Sequence, residues 1–493
     1  MTPSPFETET DRATAPLRFL EVIAPMIRRG RERLRAEAER LRQYRDAPFE
    51  ASAVEEALAV SLRTQLAPMF ERTMVLELHA ARMQKQLMGD TPAKRFDSFI
   101  RRLGRPGTAR AVLAEYPILA IQAELVISRW AAFSAEFLRH LSADWQAIRS
   151  TFRPQDEPGP VVALDFAGNR HRGGRGVLIV RFRSGWRLVY KPKSLAVEEH
   201  FQQLLAWLNE RGARSFFQTM PVLDCGEHGW RAFVPATDCP AEAEVRCFYQ
   251  RQGAYLALLY GLMATDCHLE NVIAAGEHPV LVDLEGLFHR GPEEAAGQVH
   301  TDSVLDVRFL PQRFQRTDTG AFVEGAEVNL RDYQEDMVRG FKAMYQLLRT
   351  RRDELLADGG PLDAFAGDEV RFLARTTPSY ALLLRQSYHP DLLRGGSARE
   401  QFFNRLWAGG EQASWRDRLR EAERSDLLRG DIPLFTTRPG SCDLWTSTGE
   451  RIADFFPCTS LELVRRRLGR LGQMDLTKQL GIIREALVEL SRR

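Results

Sequence analysis

One short stretch of the sequence carries residue types that suit phosphoryl transfer. Asp266 and Asn271 stand five positions apart, and the next apolar, strand-like run ends at Asp283. Phosphoryl transfer needs a carboxylate to orient the attacking hydroxyl and oxygen ligands to hold Mg²⁺. Carboxylate and amide oxygens are the hard donors that this cation prefers. We therefore predict Asp266 as the catalytic carboxylate, and Asn271 and Asp283 as ligands of Mg²⁺.

The separation of Asp266 and Asn271 equals that between the catalytic aspartate and the metal-binding asparagine of kinases. A lysine that neutralises the nucleotide phosphates should precede them, at the end of a strand. Lys191 stands at such a place, and Glu198 or Glu199 on the next predicted helix can pair with it. The sequence favours neither glutamate over the other. We predict that Lys191 binds ATP.

A glycine-rich loop that includes Gly173 and Gly174 lies directly before the first predicted strand of this region. Glycine allows the backbone to approach phosphate oxygens closely, and exposed N–H groups can bind them. Glycine clusters more often simply form turns. The position of the loop ahead of Lys191 is what favours a phosphate-binding function.

Each signal also has an ordinary structural explanation. Matches to D-x-x-x-x-N arise by chance, loop Asp and Asn often satisfy backbone groups, and a single lysine is usually a surface residue. The joint occurrence of all parts in the order of a kinase outweighs these explanations. His268, two positions after Asp266, gives a D-x-H-x-x-N pattern that resembles lipid kinases of the phosphoinositide type more than protein kinases.

The elements predicted around these residues define an α+β chain of three regions. Residues from about 16 to 150 show amphipathic helical spacing almost throughout, which indicates a helical N-terminal domain over residues 1–150. After a Pro- and Gly-containing linker, residues 151–240 contain strands and form a β-rich N-lobe. Residues 241–493 are mostly helical and form a C-lobe. The order predicts a helical domain followed by a bilobal, kinase-like catalytic fold.

Composition and charge argue against several classes of protein. The net charge of +2 disfavours a nucleic-acid-binding protein. No apolar run appears long enough for a membrane span, and residues 1–15 lack the apolar core of a secretory signal, so we expect a cytoplasmic protein. The six cysteines form no C-x-x-C pair, which predicts reduced, mostly buried thiols and no zinc site.

Further motifs along nearly the whole chain resemble the dehydratase domain of class II lanthipeptide synthetases, the LanM family. Such motifs include Gly89-Asp90-Thr91-Pro92, Glu115-Tyr116-Pro117, Val189-Tyr190-Lys191-Pro192-Lys193-Ser194-Leu195, Arg251-Gln252-Gly253-Ala254, Asp283-Leu284-Glu285, Asp431-Ile432-Pro433 and Thr436-Thr437-Arg438-Pro439-Gly440-Ser441. The resemblance implies a fold related to lipid kinases. It also implies ATP- and Mg²⁺-dependent dehydration of Ser and Thr in a ribosomal precursor peptide with a leader and a core.

The same resemblance implies functions for individual residues. Asp266 would activate the substrate hydroxyl, with His268 beside it. The implied metal-binding residues are Asn271, Asp283 and Glu285.

Arg371 and Thr377 match the arginine and threonine of the family segment that is assigned to phosphate elimination. An arginine can bind phosphate through two parallel hydrogen bonds, and a threonine hydroxyl adds another donor. Without the resemblance, Arg371 and Arg375 would be assigned to a solvated helix face.

Two features depart from the family pattern. Gly286 follows Asp283-Leu284-Glu285 where the family commonly has threonine, so we expect a slightly altered metal loop. The sequence ends at Arg493 without the Cys and His ligands of a zinc-dependent cyclase domain. We therefore expect ring closure to be absent or to come from a separate cyclase.

Three other functions compete with a dehydratase. A peptide kinase would stop at the phosphate, but Arg371 and Thr377 are present. A lipid or small-molecule kinase would not need the helical N-terminal domain or this elimination motif. A pseudoenzyme that only binds the precursor would not need Lys191, Asp266 and Asp283.

Overall fold

A computed structural model describes residues 15–44, 47–213, 217–268, 271–291, 302–310, 330–408 and 414–490. The chain forms two compact units, each made from several segments. The first unit contains residues 1–187, 375–412 and 416–433, and the second contains 188–374, 413–415 and 434–493. Both helices and several small sheets are present, which confirms the predicted α+β class at this level. Residues 1–14, which bear on the secretory-signal prediction, lie outside the described part, as do Leu269 and Glu270.

Residues 15–187 of the first unit form helices that are followed by an antiparallel pair of strands. Arg, Glu, Ala and Leu at helical spacing over residues 28–45 predict a helix, and the structure has one that begins four residues earlier, at Ala24. The elements are a 3₁₀ helix at Phe19–Ile23, then α1 (Ala24–Tyr44), α2 (Ala51–Met83), α3 (Pro92–Leu103), α4 (Pro106–Glu115), α5 (Pro117–Phe152), β1 (Val161–His171) and β2 (Arg175–Phe182). Proline begins three of these helices, where a missing N–H costs nothing.

Helix α5 corrects one prediction. In the described part of the chain, it alone is long and apolar enough to cross a membrane by length and composition. The expectation that no apolar run reaches that length therefore does not hold. A core helix passes the same test, and α5 buries Trp130, Phe137 and Leu141 within the first unit.

Residues 188–374 of the second unit begin with three antiparallel strands, in the order β3–β5–β4. The elements are β3 (Arg187–Lys191), α6 (Ala196–Glu210), β4 (Val222–Asp224), β5 (Gly229–Ala232), α7 (Glu242–Gly261), β6 (Val272–Ala275), β7 (His278–Leu281), α8 (Gln334–Thr350), α9 (Arg352–Leu356) and β8 (Val370–Phe372), with 3₁₀ helices at Val304–Val307, Leu330–Tyr333 and Asp363–Gly367. The sequence over residues 221–235 predicts strand structure, and the structure has two strands there, with Gly226 at a φ of 83° in the turn between them.

The remaining segments complete both units. Strand β8 belongs to a four-stranded antiparallel sheet of the second unit, together with β9 (Phe435–Thr437), β10 (Leu444–Trp445) and β11 (Arg451–Ile452), in the order β11–β10–β9–β8. The elements are α10 (Thr377–Ser387), α11 (Pro390–Leu393), α12 (Gly396–Phe403), a 3₁₀ helix at Asn404–Leu406, α13 (Ser414–Asp417), α14 (Arg420–Leu428), β9 (Phe435–Thr437), β10 (Leu444–Trp445), β11 (Arg451–Ile452), α15 (Ser460–Gly469) and α16 (Gln473–Leu490).

Two glycines allow α7 and α8 to pack closely in the core of the second unit. A Cβ atom at Gly253 would overlap the carbonyl oxygen of Met337, and one at Gly340 would overlap that of Gln250. This close approach packs the middle of α7, the helix that precedes the Asp266 segment, against α8. The six cysteines, all in the described part of the chain, form no disulfide. Two of them, Cys239 and Cys267, are fully buried and the other four are partly exposed, so the prediction of mostly buried thiols is wrong.

Candidate active site

Lys191, Glu198 and Arg231 form a buried group of charges in the second unit, called here the Glu198 cluster. Lys191 ends β3 and forms an ion pair with Glu198 in the first turn of α6, which decides between the two glutamates. The Arg231 Nε lies 4.0 Å from a Glu198 carboxylate oxygen. Burial raises the pKa of Glu198, but the positive charges of Lys191 and Arg231 outweigh burial and hold it below its ordinary value.

The Glu198 cluster is tied to the segment that carries Asp283. The Lys191 Nζ donates a hydrogen bond to the carbonyl oxygen of Val282 at 2.9 Å, and Arg231 Nη1 donates to the same oxygen at 2.8 Å. Two cations thus hold the peptide that immediately precedes Asp283. Lys191 and Arg231 are far from Val282 in the sequence. These contacts therefore depend on the packing of distant segments and not on local chain geometry.

The segment around Asp266 forms a tight loop after α7. Asp266 has a φ of 59°, in the left-handed region that few residues other than glycine adopt. The side-chain amide of Asn271 donates to the carbonyl oxygen of Asp266 at 2.8 Å, and its backbone N–H donates to that of His268 at 2.9 Å. The His268 Nε2 lies 3.8 Å from the Asp266 carboxylate. These contacts make the Asn271 side chain part of the frame that holds Asp266.

Two backbone hydrogen bonds join this loop to the Asp283 segment. The N–H of Thr265 donates to the carbonyl oxygen of Gly286 at 2.9 Å, and the N–H of Val282 donates to that of Asn271 at 2.9 Å. A Cβ atom at Gly286 would overlap the carbonyl oxygen of Thr265. Glycine at this departure from the family pattern therefore permits the close approach of the two segments.

Glu285, Lys193 and Arg371 form a second charged group, called here the Glu285 cluster. Lys193 Nζ contacts Glu285 Oε2 at 2.7 Å, and Arg371 Nη1 contacts Oε1 at 2.7 Å. The Arg371 backbone N–H also donates to the Glu285 carbonyl oxygen at 2.8 Å. Burial raises the pKa of Glu285, but these two cations hold it far below its ordinary value.

The Glu285 cluster reaches Asp283 as well, because Lys193 Nζ lies 3.7 Å from Asp283 Oδ1. The oxygens of Asp283 and the amide oxygen of Asn271 suit a hard cation such as Mg²⁺. The donor set therefore fits the metal, whereas both oxygens of Glu285 already contact cations of the chain.

Arg371 lies on β8, where it pairs with Thr436 of β9. The assignment of Arg371 to a solvated helix face is thus wrong, because the residue is in a strand and its guanidinium is largely buried against Glu285. Thr377 begins α10 and belongs to the first unit, as does Arg375, whose Nε contacts the buried Glu423 at 2.9 Å.

Gly173 and Gly174 also belong to the first unit, where they form the turn between β1 and β2. Their φ angles are 82° and 84°, which glycine adopts without strain. The N–H of Gly173 donates to the carboxylate of Asp431, and His171 Nδ1 lies 3.1 Å from the carbonyl oxygen of Ile432. A distant segment of the same unit therefore contacts the turn.

Comparison with known proteins places the chain in a family. The family described as "Domain of unknown function (DUF4135)" matches residues 116–323 and 314–438, which together cover well over half of the sequence. The chain belongs to this family. All of the candidate residues of both units lie inside the matched ranges of DUF4135.

One similar protein has a more informative name than DUF4135. The chain is 22% identical over 476 residues to the lacticin 481/lactococcin biosynthesis protein LcnDR2 of Lactococcus lactis subsp. lactis. The aligned region covers 84% of this chain and 50% of that protein. The chain thus spans about half the length of the relative that it matches.

Two residues of this DUF4135 chain have contacts that the sequence did not predict. Lys193 had a signal, since it stands two residues after Lys191. Arg231 had a weaker signal, namely a lone cation inside the apolar segment of β5. Both are recognisable as site residues only once Val282 and Glu285 are known to be their partners.

Proposed function

We propose that this chain is a lanthipeptide-type dehydratase. It uses ATP and Mg²⁺ to phosphorylate Ser and Thr of a ribosomal precursor peptide and then eliminates the phosphate to leave dehydroamino acids. The strands and helices that hold the charged groups would form a kinase-like catalytic fold. The same proposal assigns the protein to the cytoplasm.

The observation that carries the proposal is the assembly of kinase-like parts within one unit. The Lys191–Glu198 pair, the Asp266 loop and the Asp283 segment are joined through the carbonyl oxygen of Val282 and the backbone bonds of Thr265. Structural ion pairs alone would not require an Asp in a left-handed conformation beside an Asn with the kinase spacing.

In the first half-reaction, the substrate hydroxyl oxygen attacks the γ-phosphorus of ATP, and the bond to the bridging oxygen of ADP breaks. Asp266 takes up the hydroxyl proton and orients the attacking oxygen. Lys191, held by Glu198, contributes positive charge to the phosphates. When bound through Asn271 and Asp283, Mg²⁺ would neutralise further charge on the phosphates.

In the second half-reaction, a general base takes the α-proton of the phosphorylated residue. The electron pair forms the Cα=Cβ double bond, the Cβ–O bond breaks and phosphate leaves. Arg371 is proposed to bind that phosphate through its guanidinium. The net change is ATP plus a hydroxy residue to ADP, phosphate and a dehydro residue, which is a loss of water from the peptide.

The name of the Lactococcus relative, a lacticin 481/lactococcin biosynthesis protein, supports a ribosomal precursor peptide as the substrate. A precursor of this kind would have a leader and a core, and a separate cyclase could act on the dehydrated core.

Mass spectrometry of a candidate precursor peptide, incubated with the protein, ATP and Mg²⁺, tests the proposal. Successive losses of about 18 Da, the mass of water, are expected. Asp266→Asn should abolish every mass change, and Arg371→Ala should leave phosphorylated peptide because it acts after phosphoryl transfer. Phosphate gain without water loss in the wild type would make the protein a peptide kinase and refute elimination. An unchanged precursor would refute both steps for that peptide.

A further inference from the structure

We propose that Lys193 binds a phosphate of the nucleotide and that, without the nucleotide, its ammonium opposes metal binding at Asp283. This inference rests on the proposed function and extends it to a residue outside the predicted site. It would make the binding of metal and nucleotide mutually dependent.

Lys193 is the most accessible of the four cations in the two clusters. Its side chain is 24% exposed, compared with 11% for Arg371, 7% for Arg231 and 4% for Lys191. A lysine ammonium is a compact charge on a flexible stem, so it can change partners over a few ångströms.

The other cations have additional partners that hold them in place. Lys191 and Arg231 both donate to the carbonyl oxygen of Val282. Arg371 contacts Glu285 through both its side chain and its backbone. Lys193 can turn toward a phosphate without breaking a hydrogen bond to the carbonyl oxygen of Val282, which Lys191 and Arg231 cannot do.

The carboxylates that Lys193 contacts include the proposed metal ligand. Its ammonium lies 2.7 Å from Glu285 Oε2 and 3.7 Å from Asp283 Oδ1, so it stands beside the proposed metal ligand. A divalent cation on Asp283 would be close to this positive charge, and like charges repel strongly at such distances. A phosphate that accepts a hydrogen bond from Lys193 would reduce the repulsion by drawing the ammonium away.

Glu285 is placed to hold Lys193. One carboxylate oxygen accepts from Lys193 and the other from Arg371. Glu285 therefore serves better as a positioning residue for these two cations than as a direct metal ligand. The Glu285 cluster would connect the cation that binds nucleotide to the cation proposed for phosphate elimination.

The test uses Mn²⁺ as the metal probe and the non-hydrolysable ATP analogue AMP-PNP as the nucleotide probe, with the full chain. Free Mn²⁺ is measured by electron paramagnetic resonance during titration. Lys193→Met should raise the affinity for Mn²⁺ alone by about tenfold and lower the affinity for AMP-PNP by about tenfold. The variant lacks the positive charge that repels the metal and attracts the phosphates. Lys193→Arg, which keeps the charge, should leave the affinity for Mn²⁺ alone close to that of the wild type.

Lys342→Met is the matched control, because Lys342 is an exposed lysine on α8 of the same unit. It should change neither affinity. If circular dichroism showed Lys193→Met to be unfolded, Lys193→Gln would replace it, since glutamine can still donate to Glu285 without the charge.

The outcomes separate this inference from the proposed function. Wild-type protein that binds Mn²⁺ and AMP-PNP, together with a folded Lys193→Met or Lys193→Gln variant of unchanged affinities, would overturn the inference alone. Wild-type protein that binds neither probe would overturn the proposed function as well. Opposite shifts of the two affinities in the charge-removing variant, absent from Lys342→Met, would establish the function of Lys193.

Discussion

The Glu198 cluster and the Glu285 cluster have the same composition but different surroundings. In each, one carboxylate lies between a lysine and an arginine: Lys191 and Arg231 in the first, Lys193 and Arg371 in the second. All three side chains of the Glu198 cluster are buried, whereas those of the Glu285 cluster are partly open to solvent. The same three charge types can therefore serve a permanent frame in one place and an exchangeable contact in another.

The difference follows from the energetics of buried charge. A buried ion whose partner is removed loses both its ion pair and its hydration, so the arrangement of the Glu198 cluster must persist through any reaction cycle. Charges with some solvent access lose less when they exchange partners. The Glu285 cluster can thus release a cation to a phosphate at a low cost in free energy, whereas the cost for the Glu198 cluster is high.

The largest expected effect is the loss of stability in Glu198→Gln. Two buried cations would lose their carboxylate, which should cost about 3–5 kcal/mol in local unfolding free energy. Glu285→Gln should cost only about 1–2 kcal/mol, because water can partly replace the carboxylate. Amide hydrogen exchange of β3 and α6, compared with that of β8, measures both.

The exposed Glu210 at the end of α6 supplies the control, since Glu210→Gln on the same helix should alter exchange by less than about 0.5 kcal/mol. Equal losses in Glu198→Gln and Glu285→Gln would contradict the division into a permanent and an exchangeable cluster.

The next largest effect concerns the turn that follows Glu285. Gly286→Ala would bring a Cβ atom against the carbonyl oxygen of Thr265, and such overpacking costs about 1–3 kcal/mol. The displacement should disturb the Asp266 loop and the Glu285 cluster and leave α6 unaffected. Hydrogen exchange at the amides of Thr265 and Val282 reports it directly.

Gly367→Ala is the control for this substitution. A Cβ atom at Gly367 would meet nothing within 4 Å, so exchange should stay as in the wild type. A Gly286→Ala variant with wild-type exchange at Thr265 would show that the close approach of the two segments is not required.

The parts of the site that were predictable depend on short-range patterns. The spacing of Asp266 and Asn271 is local, and the order of strand, turn, strand and helix placed Lys191 close to Glu198 or Glu199. Periodicity of apolar residues likewise predicts helices over residues 195–210 and 243–264, and α6 and α7 match these bounds to within about three residues.

Contacts between distant segments were beyond such patterns. Glu285 and Arg371 are 86 residues apart, and Gly173 and Asp431 are 258 apart. No periodicity relates such positions, because their meeting depends on how whole elements pack. Arg371 illustrates this point: its neighbours suggested a helix, yet pairing with β9 made the segment a strand.

A smaller effect is expected from pH. Because the folded-state pKa of Glu285 lies below the ordinary value of 4.5, its carboxylate contributes stability above that pH, and the contribution falls as the pH drops toward the folded-state pKa. A single group of this kind loses about 1.4 kcal/mol per pH unit in that interval. The stability difference between wild type and Glu285→Gln should therefore narrow from pH 5 to pH 3.

Urea denaturation of both proteins at several pH values measures this narrowing. Glu210→Gln again serves as the control, because the difference from wild type should remain small at every pH. A difference between wild type and Glu285→Gln that widened with acid would mean that the carboxylate is not held in its charged form by Lys193 and Arg371.

The smallest expected effect comes from a contact between the elements that carry the two clusters. His200 of α6 contacts the buried Asp368 at 2.9 Å, and the chain continues from Asp368 into β8 and Arg371. The helix that carries Glu198 is thus joined to the strand that carries Arg371. Replacing His200 with glutamine, or Asp368 with asparagine, should weaken this connection by about 1 kcal/mol.

Hydrogen exchange distinguishes two results of that change. If the clusters are independent, exchange should increase in α6 and stay constant at the Arg371 amide, whose N–H donates to the Glu285 carbonyl oxygen. The Arg211–Glu354 contact at the other end of α6 is more exposed, so Arg211→Met should have less effect on exchange in α6 than the His200 variant. A parallel increase in exchange at the Arg371 amide would contradict the separation of the two clusters. It would mean that the Glu198 cluster and the Glu285 cluster move together.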